Sequence, residues 1–207
     1  MALTLASDPR PLSPDLFSII TIAEAGSRPP AWKSRLRWPE TGDAHISLEM
    51  HRPRRQSVWA TQLDDAVMHA DRAVLFVADG VGCFAASWWA RLSPSHYVSK
   101  VAGALLLDPV APPQDGDKRP LFASPPVALP FPSLVLTGDD ADLAHDPALG
   151  AHVDAWGSRL LAGGRQRSIE QIGEQRTWFS AQRLVRRIGR AVIANDIRRA
   201  RALRGEG

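Results

Sequence analysis

Short apolar runs recur along the chain, separated by helical patterns or by stretches rich in proline and glycine. Six runs have the length and composition of buried strands: Phe17 to Ala23, His45 to Met50, Ala73 to Ala78, Val101 to Leu107, Ser133 to Thr137 and Ser158 to Leu161. Strands that alternate with helices are typical of βαβ units, in which a parallel sheet is covered on both faces. We therefore expect an α/β fold with a mainly parallel sheet in a three-layer α/β/α sandwich.

The intervening segments show helical spacing of apolar residues in Ser57 to Ala70, Gly82 to Leu92 and Asp146 to Trp156. A further amphipathic helix is predicted after Trp178, with arginines opposite its apolar face. Its apolar positions are Phe179, Leu184, Val185, Ile188, Val192, Ile193 and Ile197. The proline-rich segment Pro109 to Pro132 lacks this periodicity, so we expect a long loop over the carboxyl edge of the sheet.

The length of 207 residues suits one domain with a sizeable core. We expect a flexible leader over 1–14, a single domain over 15–193 and a basic helical extension over 194–207. No apolar run approaches the about 20 residues that span a bilayer, and the first residues do not resemble a signal peptide. The single cysteine excludes an internal disulfide and a cysteine-rich zinc site, which suits the cytoplasm.

The net charge of +3 is small, but arginines are concentrated near the C-terminus. They are Arg183, Arg186, Arg187, Arg190, Arg198, Arg199, Arg201 and Arg204. Such a segment attracts nucleic acid, anionic lipid or acidic protein, or is simply a solvated helix face. Its apolar residues favour packing on the domain or on a second subunit, which makes a homo-oligomer one expectation. Nucleic-acid binding is disfavoured, because the segment lacks aromatic residues for base stacking.

The segment Val74 to Cys83, VLFVADGVGC, has the form of a strand that turns sharply into a helix. A nucleophile elbow needs such a strand and turn, small neighbouring residues and a projecting nucleophilic side chain at the tip. Every feature is present except the side chain, because the tip is Gly80. A nucleotide-phosphate loop is the alternative, but the third glycine and the downstream ribose-binding acid of a dinucleotide fingerprint are absent.

The sequence around this segment carries a more specific signal. In order and spacing, five segments resemble the small α/β serine hydrolases of the retinoblastoma-binding-protein-nine and bacterial YdeN type: Trp59 to Asp64, Val74 to Cys83, Val101 to Pro109, Phe131 to Leu136 and Ala155 to Ser158. The resemblance covers roughly residues 17–188 and implies an α/β-hydrolase-like fold in a bacterial-type protein. That family usually reads Ala-His-Ser-Leu-Gly-Cys at its elbow. Here Gly80 stands at the serine position and Asp79 at the preceding histidine.

The same resemblance locates the other two triad positions. The family's catalytic aspartate falls on Ala141, although the adjacent Asp140 would restore a carboxylate after a slip of one residue. The family's histidine falls on Ser168, and no histidine occurs after His152. All three triad positions are therefore degenerate in this chain.

The chemistry of the triad decides what these replacements imply. A serine hydroxyl becomes a nucleophile only when an imidazole removes its proton and a carboxylate stabilises the resulting cation. Gly80 has no side chain with which to attack, and Asp79 is one residue away from the tip where an aspartate nucleophile would stand. Glu24 would oppose a developing oxyanion, whereas the backbone around Ala25, Gly26, Gly80 and Val81 could still bind an anion or a carbonyl.

The favoured interpretation is a non-catalytic homologue that binds a small molecule or a protein, with no cofactor. Two alternatives stay open: a weak or noncanonical hydrolase, and an adaptor that acts through the basic C-terminal helix. The six histidines show no metal-ligand spacing, so no metal is expected. Cys83, Trp88 and Trp89 are expected to pack in the interior rather than to react.

Overall fold

The structure is a computed structural model that describes residues 17–26, 43–50, 56–112, 121–123, 126–137, 147–162 and 186–190, with residues 194, 201 and 204. Its strands are β1 Phe17–Glu24, β2 Ala44–Leu48, β3 Ala73–Asp79, β4 Val101–Leu107, β5 Ser133–Thr137 and β6 Arg159–Ala162. They form one six-stranded sheet in the order β2-β1-β3-β4-β5-β6. Every neighbouring pair is parallel. The parallel sheet predicted from the apolar runs is therefore confirmed.

Four helices are bounded in the described part of the chain: α1 Gln56–Met68, α2 Gly82–Leu92, α3 Ser95–Val98 and α4 Pro147–Trp156. Residues 186–190 are also helical. The helices α1, α2 and α4 match predicted segments to within two residues at each end. Helix α3 was not predicted, because its four residues are too few to show a helical period.

Alternating side chains along β1, β3, β4 and β5 supply two separate hydrophobic cores. In β3, Val74, Phe76 and Ala78 face the helices α1, α2 and α4, whereas Leu75 and Val77 face the opposite side. A strand with both faces buried is apolar almost throughout, which is why the runs were recognisable in the sequence. Helices lie on both sides of the sheet, as a three-layer α/β/α sandwich requires.

The second sheet face receives Ile188 from the helical residues 186–190. A Cβ atom on Gly103 of β4 would lie 2.5 Å from Ile188 Cδ1 and 3.0 Å from the Pro132 carbonyl oxygen. Glycine thus makes the hollow that the isoleucine fills. Arg186, Arg187 and Arg190 are exposed, as the amphipathic pattern predicted. Val192, Ile193 and Ile197 lie outside the described residues, so the predicted subunit contact stays a prediction.

The strand order fixes where a binding crevice forms. From β1 the chain moves to β2 on one side, and from β3 it moves to β4 on the other, although β1 and β3 are neighbours. The connections diverge at the carboxyl ends of these two strands, and ligands of open parallel sheets bind at such a point. Glu24 ends β1 and Asp79 ends β3, so the predicted elbow lies at this crevice.

The connection between β4 and β5 forms no helix or strand in its described residues. Its end is tied to the helical layer: Arg91 Nε donates to the Val127 carbonyl (2.7 Å) and Arg91 Nη2 to the Ala155 carbonyl (2.8 Å). The Leu129 amide donates to the Trp156 carbonyl (2.9 Å). None of the helices found in the described ranges has the length and apolar character needed to cross a membrane.

Candidate functional site

Gly80 occupies the tip of a tight turn between β3 and α2. Its φ angle is +55°, and its amide donates to the Leu107 carbonyl of β4 (2.9 Å). The Gly80 carbonyl accepts from the Cys83 amide (3.2 Å), and the Val81 carbonyl accepts from the Phe84 amide (3.0 Å). These bonds join the strand directly to the first turn of the helix, so the predicted strand-to-helix turn is confirmed.

The space above Gly80 is open. A Cβ atom added there would meet no other heavy atom within 4 Å beyond the two chain neighbours. A positive φ is strained for residues with a side chain, and a strained, exposed nucleophile is the defining feature of the α/β-hydrolase elbow. The turn therefore has the backbone of a nucleophile elbow and room for its side chain, but no nucleophile.

Gly82, two residues on, is confined. A Cβ atom there would lie 2.3 Å from the Ile22 carbonyl oxygen, 2.9 Å from the Ile22 carbonyl carbon and 3.4 Å from the Ala23 amide nitrogen. Helix α2 consequently begins in direct contact with the backbone of β1. This approach brings the start of α2 to the crevice where β1 and β3 diverge.

The backbone amides of Ala25 and Val81 were expected to act as hydrogen-bond donors. They differ in whether an acceptor is already present. The Ala25 amide already donates to the Leu48 carbonyl (2.9 Å), so a ligand would have to displace that bond. The Val81 amide has no acceptor among the described residues, and no side chain caps the helix at this position. Gly26 has a φ of +79° and open space above it. Of the two amides, only that of Val81, a buried residue, is therefore left without an acceptor in the described part of the chain.

Acidic residues follow or end three strands at the same sheet edge. Glu24 ends β1, Asp79 ends β3, and Asp108, with a φ of +40°, follows β4. Asp79 and Asp108 lie close enough to Cys83 to raise the pKa of its thiol.

Cys83 does not replace the missing serine. Its side chain is fully buried, and Sγ donates to the carbonyls of Ala78 and Leu107, each at 3.4 Å. Burial raises the pKa of the thiol well above its ordinary value, and the charge of Asp79 raises it further. A buried neutral thiol is unreactive, so the expected packing role of Cys83 is confirmed.

The four described histidines make other contacts, and the His96 ring lies against Tyr97 with centroids 4.2 Å apart. His45 Nδ1 lies 2.7 Å from Thr21 Oγ1, and His69 Nδ1 lies 2.8 Å from the Asp65 carbonyl oxygen. The His152 ring packs edge-on against Phe84 of α2, with centroids 4.9 Å apart, and stacks on Trp156 at 6.0 Å. His152 thus lies beside the first turn of α2, held by aromatic rings.

An aromatic cluster near the same edge could not be located from the sequence. Trp59 of α1 and Trp88 of α2 have ring centroids 5.5 Å apart, and Phe122 lies 5.6 Å from Trp59 and 6.5 Å from Trp88. Trp88 and Trp89 pack against neighbouring elements as expected, with Trp89 Nε1 donating to Asp64 Oδ1 (2.7 Å). Only the role of Phe122 had no sequence signal, because it depends on the path of an aperiodic loop.

The positions assigned to the rest of the triad lie outside the described residues. Ala141 and the neighbouring Asp140 follow β5, and Ser168 follows β6, in segments that the structure does not describe. The assignment of these degenerate positions therefore stays a prediction.

A family model described as serine hydrolase matches residues 22–187. A solved YdeN-like hydrolase from Pectobacterium atrosepticum is similar in fold, with a TM-score of 0.57 and 14% identity over 86% of this chain and 93% of that one. The esterase LipW from Mycobacterium marinum aligns with a TM-score of 0.46 and 14% identity, covering 86% of this chain and 73% of that one. No curated protein matches the sequence.

Proposed function

Because this chain belongs to the serine hydrolase family, we propose that it is a non-catalytic member that binds a ligand at the crevice beside Gly80. Gly80 carries the proposal: the residue at the tip of the elbow keeps the φ of +55° and the open space of a nucleophile position, yet has no side chain. The crevice at the divergence of β1 and β3 is retained, whereas the attacking group is absent.

The two candidate groups beside the turn that the structure describes offer no substitute nucleophile. Cys83 is buried with a raised pKa, and Asp79 belongs to the end of the strand rather than to the tip. A water molecule would need a general base and a stabilised oxyanion, and loss of triad members typically lowers the rate by several orders of magnitude. Binding without turnover is the function that this arrangement supports best.

The ligand is a small molecule or a protein segment that presents a neutral carbonyl oxygen to the Val81 amide. A neutral acceptor suits the donor at the start of α2, and the carboxylates of Glu24, Asp79 and Asp108 belong to the same sheet edge. An anionic ligand would gain from the amide but lose by repulsion from these carboxylates. We propose the cytoplasm of a bacterial cell as the location, supported by the free thiol of Cys83, the single cysteine of the chain, and by the resemblance to bacterial YdeN-type hydrolases.

The proposal is tested by activity-based labelling and ester hydrolysis. The purified chain should not hydrolyse p-nitrophenyl acetate or butyrate above background, and a fluorophosphonate probe should not label it. Gly80→Ser alone should recover little activity, because the histidine and aspartate positions also differ. The triple change Gly80→Ser, Ala141→Asp, Ser168→His tests whether the scaffold remains competent.

A weak or noncanonical hydrolase is the second candidate, favoured by the match of residues 22–187 to the serine hydrolase family model. Stoichiometric fluorophosphonate labelling of the unmodified chain would establish it and overturn the binding proposal. Strong activity from Gly80→Ser alone would show that a base is already in place. The site of labelling, read by peptide mass spectrometry, would identify the nucleophile.

A further inference from the structure

We propose that the hydroxyl group of Thr137 is a second hydrogen-bonding contact for the ligand that binds beside Gly80. The ligand is then a neutral extended molecule that reaches from the β3–α2 turn to the end of β5. This inference rests on the proposed function, since it adds a binding residue and a ligand length to the same site. Its own evidence is the burial of Thr137 and the register of β5, which do not depend on the missing nucleophile.

Thr137 ends β5 with its hydroxyl group buried and unpaired. The residue is 3% exposed, and Oγ1 has no hydrogen-bond partner in the described part of the chain. A buried hydroxyl without a partner lowers stability, because it has given up its bonds to water and gained none in exchange. Valine has nearly the same shape and suits a strand equally well, so folding alone does not call for this hydroxyl. A bound molecule that supplies the partner explains it.

Other buried hydroxyl groups of the same sheet and helical layer are paired. Thr21 Oγ1 lies 3.3 Å from the Ala44 carbonyl oxygen and 2.7 Å from His45 Nδ1. Ser87 Oγ donates to a backbone carbonyl of its own helix (2.8 Å). Thr21 is therefore the matched reference for Thr137: both are buried threonines in strands of one sheet, and they differ in whether the hydroxyl has a partner.

Bonds between the strand ends place Thr137 level with the turn. The Gly80 amide donates to the Leu107 carbonyl (2.9 Å), and the Asp108 amide donates to the Leu136 carbonyl (2.8 Å). Gly80, Asp108 and Thr137 each stand one residue beyond the last paired row of β3, β4 and β5. They consequently form one row along the carboxyl edge. Two strand spacings separate its ends, so the turn and Thr137 are about 10 Å apart.

The side chain of Thr137 is directed to the face of the sheet on which α2 begins. Val135, two residues earlier, packs in the core beneath α1, α2 and α4, and alternate residues of a strand share a face. Cys83 and Phe84, in the first turn of α2, belong to the same core. The Thr137 hydroxyl and the Val81 amide therefore lie on one face and at one edge of the sheet.

The two groups determine what the ligand presents. The Val81 amide donates, and a hydroxyl group also donates to a carbonyl oxygen. A molecule with two neutral carbonyl groups about 10 Å apart satisfies both. An extended peptide advances about 3.3 Å per residue, so its carbonyl groups three residues apart have this separation. We therefore assign a neutral extended peptide segment as the ligand class.

The test compares two neutral peptides, N-acetyl-trialanine amide and N-acetylalanine amide, of which only the longer spans the row. NMR titration of the full chain, followed at the Val81 amide, should show about fivefold tighter binding of the longer peptide, because a second hydrogen bond forms. Thr137→Val should lower the affinity for the longer peptide about fivefold, to that of the shorter one. Thr137→Ser keeps the hydroxyl and should stay within about twofold of the unmodified chain.

Stability without any ligand provides a second readout. Thr137→Val should raise the urea midpoint of unfolding, because valine removes an unpaired buried hydroxyl. Thr21→Val should lower the midpoint, because it leaves the partners of Thr21 without their bond. A lower midpoint for Thr137→Val would show that the hydroxyl is paired within the fold, and the inference would then be wrong.

The outcomes distinguish this inference from the proposed function. Equal affinity of Thr137→Val and the unmodified chain for the longer peptide would overturn the role of Thr137 and leave binding at the turn in place. Failure of both peptides to bind would overturn the assigned ligand class. Fluorophosphonate labelling together with binding that depends on Thr137 would overturn non-catalytic function and leave Thr137 as a substrate contact.

Discussion

The β3–α2 turn has a glycine at its tip, Gly80, and another at its base, Gly82, for opposite reasons. At the base, Gly82 has no room for a side chain, because the Ile22 carbonyl oxygen of β1 lies 2.3 Å from where a Cβ would stand. At the tip, Gly80 faces open space, and only its φ of +55° disfavours a side chain. Packing dictates glycine at the base but not at the tip.

This difference shows which part of the elbow the fold has retained. The base preserves the close approach of α2 to β1, without which the crevice between β1 and β3 would change shape. The tip preserves a backbone conformation that is useful for presenting a nucleophile, but the nucleophile is missing. This combination of a kept backbone and a missing side chain is the basis of the proposal that the site binds a ligand without turnover.

Gly103 is an intermediate case on the second sheet face. The atom nearest to an added Cβ is the terminal Cδ1 of Ile188, at 2.5 Å, with the Pro132 carbonyl oxygen at 3.0 Å. A side-chain terminus can rotate or be shortened, whereas the backbone at Ile22 cannot. The three glycines therefore predict three graded responses to the addition of one methyl group.

The largest effect is expected from Gly82→Ala. The added methyl group requires α2 to move away from β1, and such overpacking should lower the free energy of unfolding by about 3 kcal/mol. Gly80→Ala is the matched control in the same turn, and should cost only about 1 kcal/mol through its positive φ. Urea unfolding followed by circular dichroism measures both. A cost for Gly80→Ala equal to that of Gly82→Ala would remove the distinction between tip and base.

An intermediate effect is expected from Gly103→Ala, at about 1.5 kcal/mol. Ile188→Val deletes the Cδ1 methyl group and should itself cost about 1 kcal/mol. The double variant should lose less stability than the two single variants together, with a coupling of about 1 kcal/mol, because the valine makes room for the alanine. Strictly additive losses in urea unfolding would show that Ile188 does not fill the hollow at Gly103.

The sequence predicted the sheet well because its strands are buried on both faces. Runs such as Ala73–Asp79 and Val101–Leu107 are apolar at nearly every position, and helices with a regular period separate most of them. Helix α3 was not predicted, because a single helical turn is too short to show a period. The turn at Gly80 was predictable because strand, glycines and helix are adjacent in the chain.

The candidate site was predictable only where it depends on neighbouring residues. The open space at Gly80 and the burial of Cys83 follow from the local strand-turn-helix pattern. The engagement of the Ala25 amide depends on where Leu48 lies across the sheet, and the contact of Phe122 with Trp59 joins residues more than 60 positions apart. Such pairings are set by register and loop path, which neither spacing nor composition encodes.

The smallest effect concerns Cys83, at the buried side of the same turn. Because the folded state raises the pKa of this thiol, the unfolded chain loses the proton first as the pH rises. The native state then holds more protons, so stability is complete below about pH 8.5, the ordinary pKa of a thiol, and falls above it toward the folded pKa.

Cys83→Ser, which does not titrate here but can still donate to the carbonyl of Ala78 or Leu107, is the control. Relative to Cys83→Ser, the free energy of unfolding of the unmodified chain should fall by about 1 kcal/mol by pH 9. Urea unfolding at each pH measures this difference. Parallel pH profiles would mean that the thiol titrates as freely in the folded chain as in the unfolded one, and would contradict the burial of Cys83.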